Sequence, residues 1–439
     1  MSESLTPAAP EIKRPNPLLV LAALVVGLLL GMAARSAPGG PPSAILSVAT
    51  TIGSLWLNAL KMTVVPLVVA LLITGVAQGA QAARGGKVAG RTVLWIVILC
   101  TASAVLGMVL IQFLLGLFPL PSGAGAALQA AMAGLAPAAE SAPLAGAADF
   151  FKGVIPANVV AAASNGDILP LVVFSLLFAL ALSRISKPGR ELLVGFFAAL
   201  SHALLVIIGW VLWIAPIGIL ALAFALGASA GGVAFAALGH YIVLVSIVGI
   251  AVTLVGYPLA VLRGRVPLGQ FSRAMLQPQS VAISTRSSLA SLPAMLSSAR
   301  QIGVRDEVAD IGLPISVALF RATGPAMNVA VAVYVAHWLG LEPSMGQIVA
   351  ATAVAAVMSY ASISLPGEIS FISSIAPIAI ALGAPIAPLA LLVAVEMVPD
   401  IFRTLGNVTL DVAVTTIVDH ETGEDGGAQR PAIARTRSE

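Results

Sequence analysis

Glu396-Met-Val-Pro-Asp-Ile-Phe-Arg-Thr-Leu-Gly-Asn-Val-Thr-Leu-Asp411 lies within a long apolar segment near the C-terminus. Its polar residues Glu396, Asp400, Arg403, Thr404, Asn407 and Asp411 recur at steps of four, three, one, three and four. On a helix, residues spaced this way share one face. The pattern predicts a helix with a single polar stripe in otherwise apolar surroundings. Each unpaired charge at hydrocarbon depth costs at least about 2.5 kcal/mol, so the stripe faces a protein interior rather than lipid. Asp400 matches an ammonium, and Arg403 matches a carboxylate, because a guanidinium binds planar carboxylates through two parallel hydrogen bonds. Asn407 and Asp411 offer oxygens to a hard cation. The alternative is an intrahelical Asp400–Arg403 pair that holds no ligand.

The rest of the chain fits a membrane setting. Of 439 residues, 59% are hydrophobic and only 9% charged, against about 25% charged in soluble domains. A soluble globular protein is excluded. With a net charge of +3 and scattered basic residues, so is a nucleic-acid binder. One cysteine, Cys100, and four histidines supply no zinc or haem framework. A span needs about 20 apolar residues. The sequence predicts helices at roughly 17–34, 44–80, 88–118, 150–185, 191–228 and 231–262, with Pro66, Pro156, Pro170 and Pro216 as break points. The first run reads as an uncleaved helix rather than a signal peptide. Lys13/Arg14, Arg84/Lys87/Arg91, Arg184/Lys187/Arg190 and Arg263/Arg265/Arg273 alternate with connections poor in Lys and Arg. That alternation places both termini in the cytoplasm and the 119–149 linker outside. Residues 1–16 and 420–439 read as cytoplasmic tails of a multi-pass protein of the plasma (inner) membrane.

Beyond residue 267 the pattern changes. Arg286, Arg321, Glu368, Glu396, Asp400, Arg403 and Asp411 all fall within apolar segments. Buried ion pairing accounts for some of them, but their concentration in one third of the chain points to a site. Two segments read as re-entrant hairpins rather than spans. One runs from Gln279 to Pro293 around a Ser-rich tip, the other from Ser359 to Glu368. Non-helical backbone survives at membrane depth only where protein or a water-filled cavity satisfies it. Half-helix N-termini at such tips suit a carboxylate. A pair of discontinuous segments suggests inverted repeats with a substrate between them.

With these motifs in place, the chain resembles the glutamate transporter family, the dicarboxylate/amino acid:cation symporters, over nearly its whole length. Asn58-Ala-Leu-Lys-Met-Thr-Val-Val-Pro-Leu67, Ile155-Pro-Ala-Asn158, Asn165-Gly-Asp-Ile-Leu-Pro170, Thr285-Arg-Ser-Ser288, Ser291-Leu-Pro293, Leu365-Pro-Gly367 and Asp400 to Asp411 carry the resemblance. The resemblance implies an all-α polytopic membrane protein with eight transmembrane helices, two re-entrant helical hairpins and a homotrimeric assembly in the bilayer. Scaffold helices would occupy 17–80 and 150–228. An elevator-type transport domain would occupy 88–118 and 231–419, with hairpins near 267–301 and 343–382, a seventh helix near 306–340 and an eighth near 385–419. Carried over residue by residue, Asp400 binds a substrate ammonium and Arg403 its side-chain carboxylate. Ser287, Ser288, Thr404, Asn407 and the backbone from Ser364 through Leu365 to Gly367 hold the main-chain carboxylate. Arg286 lies near Asp400. No cofactor is implied.

The chain departs from the family at the seventh helix, where the family's sodium-binding Asn-Met-Asp-Gly-Thr is replaced by Phe320-Arg-Ala-Thr-Gly324. A register shifted by one turn, at Pro325-Ala-Met-Asn-Val329, also lacks the Asp. Sodium coupling is therefore expected to be lost or reduced to a weak site at Asn407 and Asp411. Arg321 would stand in for the cation, pair with Glu368 as a latch, or neutralise Asp411 or Glu396. Protons could replace sodium, with Glu368 or Glu396 as carriers; Asn328 cannot serve. The leading expectation is a secondary transporter of aspartate or glutamate. Others are a dicarboxylate carrier, which the Asp400 anion disfavours, and a substrate sensor or anion channel on the same scaffold. An intramembrane enzyme is remote, since His202, His240, His337 and His420 lie far in sequence from the Ser-rich tips.

Overall fold

The computed structural model describes residues 17–38, 40, 42–126, 154–361 and 367–424. Among these residues the chain is helical and contains no strand. Helices satisfy every backbone group within the segment, which apolar surroundings demand. Among the described residues, seven helical segments are long and apolar enough to cross a membrane, Asp306–Trp338 counted as one.

The first group comprises α1 (Pro17–Ser36), α2 (Ser43–Ala82), α4 (Val159–Asn165), α5 (Ile168–Leu182), α6 (Lys187–Trp213) and α7 (Ala215–Ala230). Here α2 packs on α5, α6 and α7, and α1 packs on α7. The second group comprises α3 (Lys87–Leu117), α8 (Val233–Leu262), α9 (Leu268–Thr285), α10 (Ser288–Gln301), α11 (Asp306–Leu319), α12 (Gly324–Trp338), α13 (Met345–Ala361), α14 (Gly367–Ala381), α15 (Leu389–Leu392) and α16 (Met397–Glu424). At its centre α16 meets α8, α9, α10, α11 and α3. The best spans of the α11–α12 segment and of α16 are each 78% buried, against 28% for α6. The charge-bearing segments are thus the interior ones, which is what makes their charges tolerable.

Two helical pairs fold back on themselves. α9 and α10 pack together around a two-residue turn at Arg286-Ser287, where Arg286 adopts a left-handed conformation (φ 51°, ψ 37°). Ser298 Oγ ties the arms by donating to the Ala274 carbonyl at 2.6 Å. Gln279 Nε2 anchors the pair, donating to Tyr257 Oη at 3.0 Å on α8 and Thr409 Oγ1 at 2.9 Å on α16. α13 and α14 form the second pair; residues 362–366 between them lie outside the described residues. So do most of the 119–149 linker, residues 1–16 and residues 425–439.

The 191–228 segment divides at Ile214, at the break expected for Pro216, which starts a new helix with its missing N–H at a position that needs none. Other expected boundaries differ. The 150–185 segment contains two short helices separated by Gly166 in the left-handed region (φ 75°). Pro66 does not break α2. It removes one backbone bond, and Trp56, Leu60, Val64, Leu67 and Leu71 hold the flanking turns in the core. Glu396 precedes α16 in a run of turns, and α16 continues to Glu424, past the expected tail boundary at 420.

One close approach positions the interior helices. A Cβ on Gly107 of α3 would lie 2.3 Å from Ala326 Cα on α12. Gly107→Val forces the two helices apart. Overpacking of this kind costs about 1–3 kcal/mol, so the purified variant should unfold several degrees below wild type in a thermal melt, with Gly107→Ala intermediate.

Candidate functional site

The site forms where four elements converge: the α9–α10 turn, the α11–α12 break, the N-terminal third of α8 and the first three turns of α16. Asp400 and Arg403 are one helical turn apart on α16, with Arg403 Nε 3.7 Å from Asp400 Oδ1. Arg286 Nη1 reaches the other carboxylate oxygen of Asp400 at 3.8 Å. Arg286 can do so because its left-handed backbone turns the chain at the hairpin tip. Ser287 begins α10 and accepts from the Ala290 N–H at 3.3 Å, which opens that helix towards the same region. Ser288 is buried beside it.

Arg403 is held on both of its terminal nitrogens. Nη2 donates to Glu396 Oε1 at 2.5 Å and Nη1 to Asn328 Oδ1 at 2.7 Å. Glu396 in turn accepts from the Tyr241 hydroxyl at 3.0 Å. The guanidinium therefore has a fixed plane, with one N–H left on each terminal nitrogen. That suits bidentate capture of a carboxylate. Thr404 donates to the Asp400 carbonyl at 3.0 Å, and its oxygen keeps its capacity to accept.

Asn407 meets the α11–α12 break. Its Oδ1 accepts from the Thr323 backbone N–H at 3.0 Å, and the Thr323 hydroxyl lies 2.7 Å from both that oxygen and the Arg403 carbonyl. The hydroxyl has one hydrogen to give, so one Asn407 lone pair is engaged by the N–H and the other is shared or open. The α11–α12 break that presents Thr323 is braced by Ser103 Oγ, which donates to the Ala322 carbonyl at 2.5 Å. Phe320 and Ala322 are buried and carry no side-chain oxygen. No group of three or more His, Cys, Asp or Glu side chains placed to hold a metal ion occurs among the described residues.

Asp411 is fully buried, and neither carboxylate oxygen has a hydrogen-bond partner among the described residues; the same holds for Arg321 Nη2. The two groups lie within each other's field. A guanidinium thus lies in the field of a buried carboxylate. Ser364 and Leu365 lie outside the described residues, as does the side chain of Glu368; Gly367 opens α14.

Sequence reasoning missed Tyr241 and Thr323 and valued Asn328 only for a role it cannot fill. Each is a hydrogen-bonding residue inside an apolar run, and that signal was legible.

The family model for the sodium:dicarboxylate symporter family matches residues 17–421. The chain is 27% identical to a proton/sodium-glutamate symport protein of Bacillus subtilis over 397 residues, covering 88% of this chain and 89% of the relative. It is 24% identical to a proton/glutamate-aspartate symporter of Escherichia coli, covering 91% of each. It is 26% identical to a C4-dicarboxylate transport protein of Polaromonas naphthalenivorans, covering 92% of this chain and 88% of the relative.

Proposed function

The chain belongs to the sodium:dicarboxylate symporter family, and on that premise we propose that it carries aspartate or glutamate across the plasma membrane without tight sodium coupling. It is a multi-pass membrane transporter, not an enzyme. The observation that carries the substrate assignment is Arg403, fixed by Glu396 and Asn328 one turn from Asp400. A substrate bearing both a side-chain carboxylate and an ammonium satisfies both groups.

The loss of sodium follows from Arg321 and Asn407. Arg321 supplies a positive charge beside Asp411, and the Asn407 oxygen already accepts from the Thr323 N–H. Protons replace sodium, and Glu396 is the carrier. When the substrate carboxylate takes the remaining Arg403 N–H groups, it sets a second anion beside the buried Glu396. A buried carboxylate that must share its cation with another anion favours its neutral form. One proton then enters with each substrate. Movement follows the elevator scheme: α3 and α8–α16 shift as a unit against a trimeric scaffold of α1, α2 and α4–α7, with the α13–α14 pair as gate.

Binding of L-aspartate and L-glutamate to the purified protein, with sodium replaced by choline, tests this reading. Unchanged affinity is expected. A tenfold or greater loss in choline would show that cation sites persist and would sink the surrogate role of Arg321. No binding in either salt would overturn the substrate class.

One observation favours a second reading. Asp400 already sits between two guanidiniums, at 3.7 and 3.8 Å. Its repulsion towards a C4-dicarboxylate without an ammonium is thereby reduced. Displacement of bound aspartate by succinate would support that reading, and its failure at millimolar concentration would exclude it.

A further inference from the structure

Resting on the reading that Asp400 takes a substrate ammonium and Arg403 its distal group, we propose that the same site also carries amino acids with a carboxamide side chain, asparagine and glutamine, whose amide bridges Arg403 and Glu396. The starting observation is that Arg403 does not present a free positive charge. Its Nη2 donates to Glu396 Oε1 at 2.5 Å, and its Nε lies 3.7 Å from Asp400 Oδ1. Arg286 supplies a second positive charge, with Nη1 3.8 Å from Asp400 Oδ2. Two guanidiniums thus face two carboxylates, and in formal charge this cluster is balanced before any substrate arrives.

An incoming side chain therefore docks on an ion pair. A carboxylate adds a third anion to two cations in buried surroundings, which is costly unless the charge is offset. In the reading above a proton on Glu396 offsets it. A carboxamide adds no charge, and Glu396 stays ionised.

The two ends of an amide also match the two halves of the pair. An amide oxygen accepts, and an amide NH2 donates. Arg403 has one N–H left on Nη2, and Glu396 Oε1, bonded to that same nitrogen, keeps a lone pair. An amide oxygen on that N–H sets the amide nitrogen beside Glu396 Oε1. The chain already shows this contact on the other terminal nitrogen. Arg403 only donates, so the Asn328 carboxamide turns its oxygen to Nη1, at 2.7 Å, and its NH2 away. A substrate amide on Nη2 repeats that bond one nitrogen along.

Glu396 is held in place for this role by the oxygen that the amide does not use. Tyr241 Oη donates to Oε2 at 3.0 Å, and the fully buried Tyr241 ring stands edge-on to Tyr334 with centroids 5.3 Å apart. An apolar side chain of the same shape leaves the Arg403 N–H and the Glu396 lone pair unmet. An ester meets only the first. Buried polar groups left unpaired then select against both.

The test is displacement of labelled L-aspartate from the purified full chain by unlabelled asparagine and glutamine. Leucine, close in shape to asparagine, and the side-chain methyl esters of aspartate and glutamate serve as controls. At least one amide should displace aspartate at least tenfold more tightly than leucine and its matching ester. Proteoliposomes loaded with labelled aspartate should release it in exchange for that amide outside. In Glu396→Gln the charged acceptor is gone, and so is the anion that opposes a carboxylate. The ratio of amide to aspartate affinity should shift at least tenfold towards aspartate, a ratio that a general weakening of the fold does not move. If the variant fails to fold, the ligand series on wild type still decides. Failure of both amides to compete at millimolar concentration, while unlabelled aspartate competes, would overturn the amide class and leave the acidic substrates intact. Equal displacement by leucine or the ester, an unchanged ratio in Glu396→Gln, or displacement without exchange would each overturn it as well. Failure of labelled aspartate to bind would remove the acidic reading, and this proposal with it.

Discussion

Arg403→Ala is expected to abolish high-affinity binding of aspartate and glutamate. The Arg403 guanidinium keeps one N–H on each terminal nitrogen for a carboxylate, and it is held in place by Glu396 at 2.5 Å and Asn328 at 2.7 Å. Truncation removes the substrate contact and strands Glu396 with only the Tyr241 hydroxyl. Removing one partner of a buried charge pair costs about 3–5 kcal/mol, which corresponds to roughly two to three and a half decades in affinity. Competition binding against labelled aspartate reads this directly. Arg403→Lys restores the charge without the fork and should recover only part of the loss. Asn328→Ala removes one neutral acceptor from a charged donor, worth about 1.5–3 kcal/mol, so its effect should be roughly a decade or two. If Arg403→Ala bound aspartate normally, the intrahelical Asp400–Arg403 pair would be a structural feature and the substrate assignment would fall.

How far the sequence discloses this site depends on which residues shared an element. The α16 stripe was readable because Asp400, Arg403, Thr404, Asn407 and Asp411 sit on one helix, where period alone fixes a common face. The turn at Arg286-Ser287 was readable because a Ser-rich polar tip between apolar arms has no stable place in lipid. Glu396 was misjudged as part of the same helix. Pro399 lies in the first turn of α16, where proline is at home, and the helix therefore starts at Met397. Residues from other helices were invisible to periodicity. Tyr241 meets Glu396 across 155 positions of sequence, and Thr323 meets Asn407 across 84. Neither pairing follows from spacing within one element. The departure from the family's pattern at Phe320–Gly324 was readable in the sequence. It did not show that Thr323 would take up the Asn407 oxygen, since that depends on where the α11–α12 break presents its N–H.

The same break decides what Arg321 is for, and the double-variant comparison exposes it. Arg321 Nη2 and both Asp411 oxygens are buried without hydrogen-bond partners among the described residues, so each charge is supported chiefly by the field of the other. Removing one leaves an uncompensated buried charge, at a cost of about 3–5 kcal/mol, whereas replacing both by apolar groups of similar volume is often close to neutral. Arg321→Met should therefore lower the unfolding temperature of the purified protein steeply, and so should Asp411→Leu. Arg321→Met/Asp411→Leu should be more stable than either single variant. Coupling of this sign is what a built-in cation surrogate requires. If Arg321 instead served only the neighbouring acids Asp400 and Glu396, the two substitutions would act independently and their destabilisations would add. Sodium supplies a further discrimination. Adding sodium to Arg321→Met should restore little of the lost stability, because the flanking Phe320 and Ala322 offer no side-chain oxygen to the position left by the guanidinium.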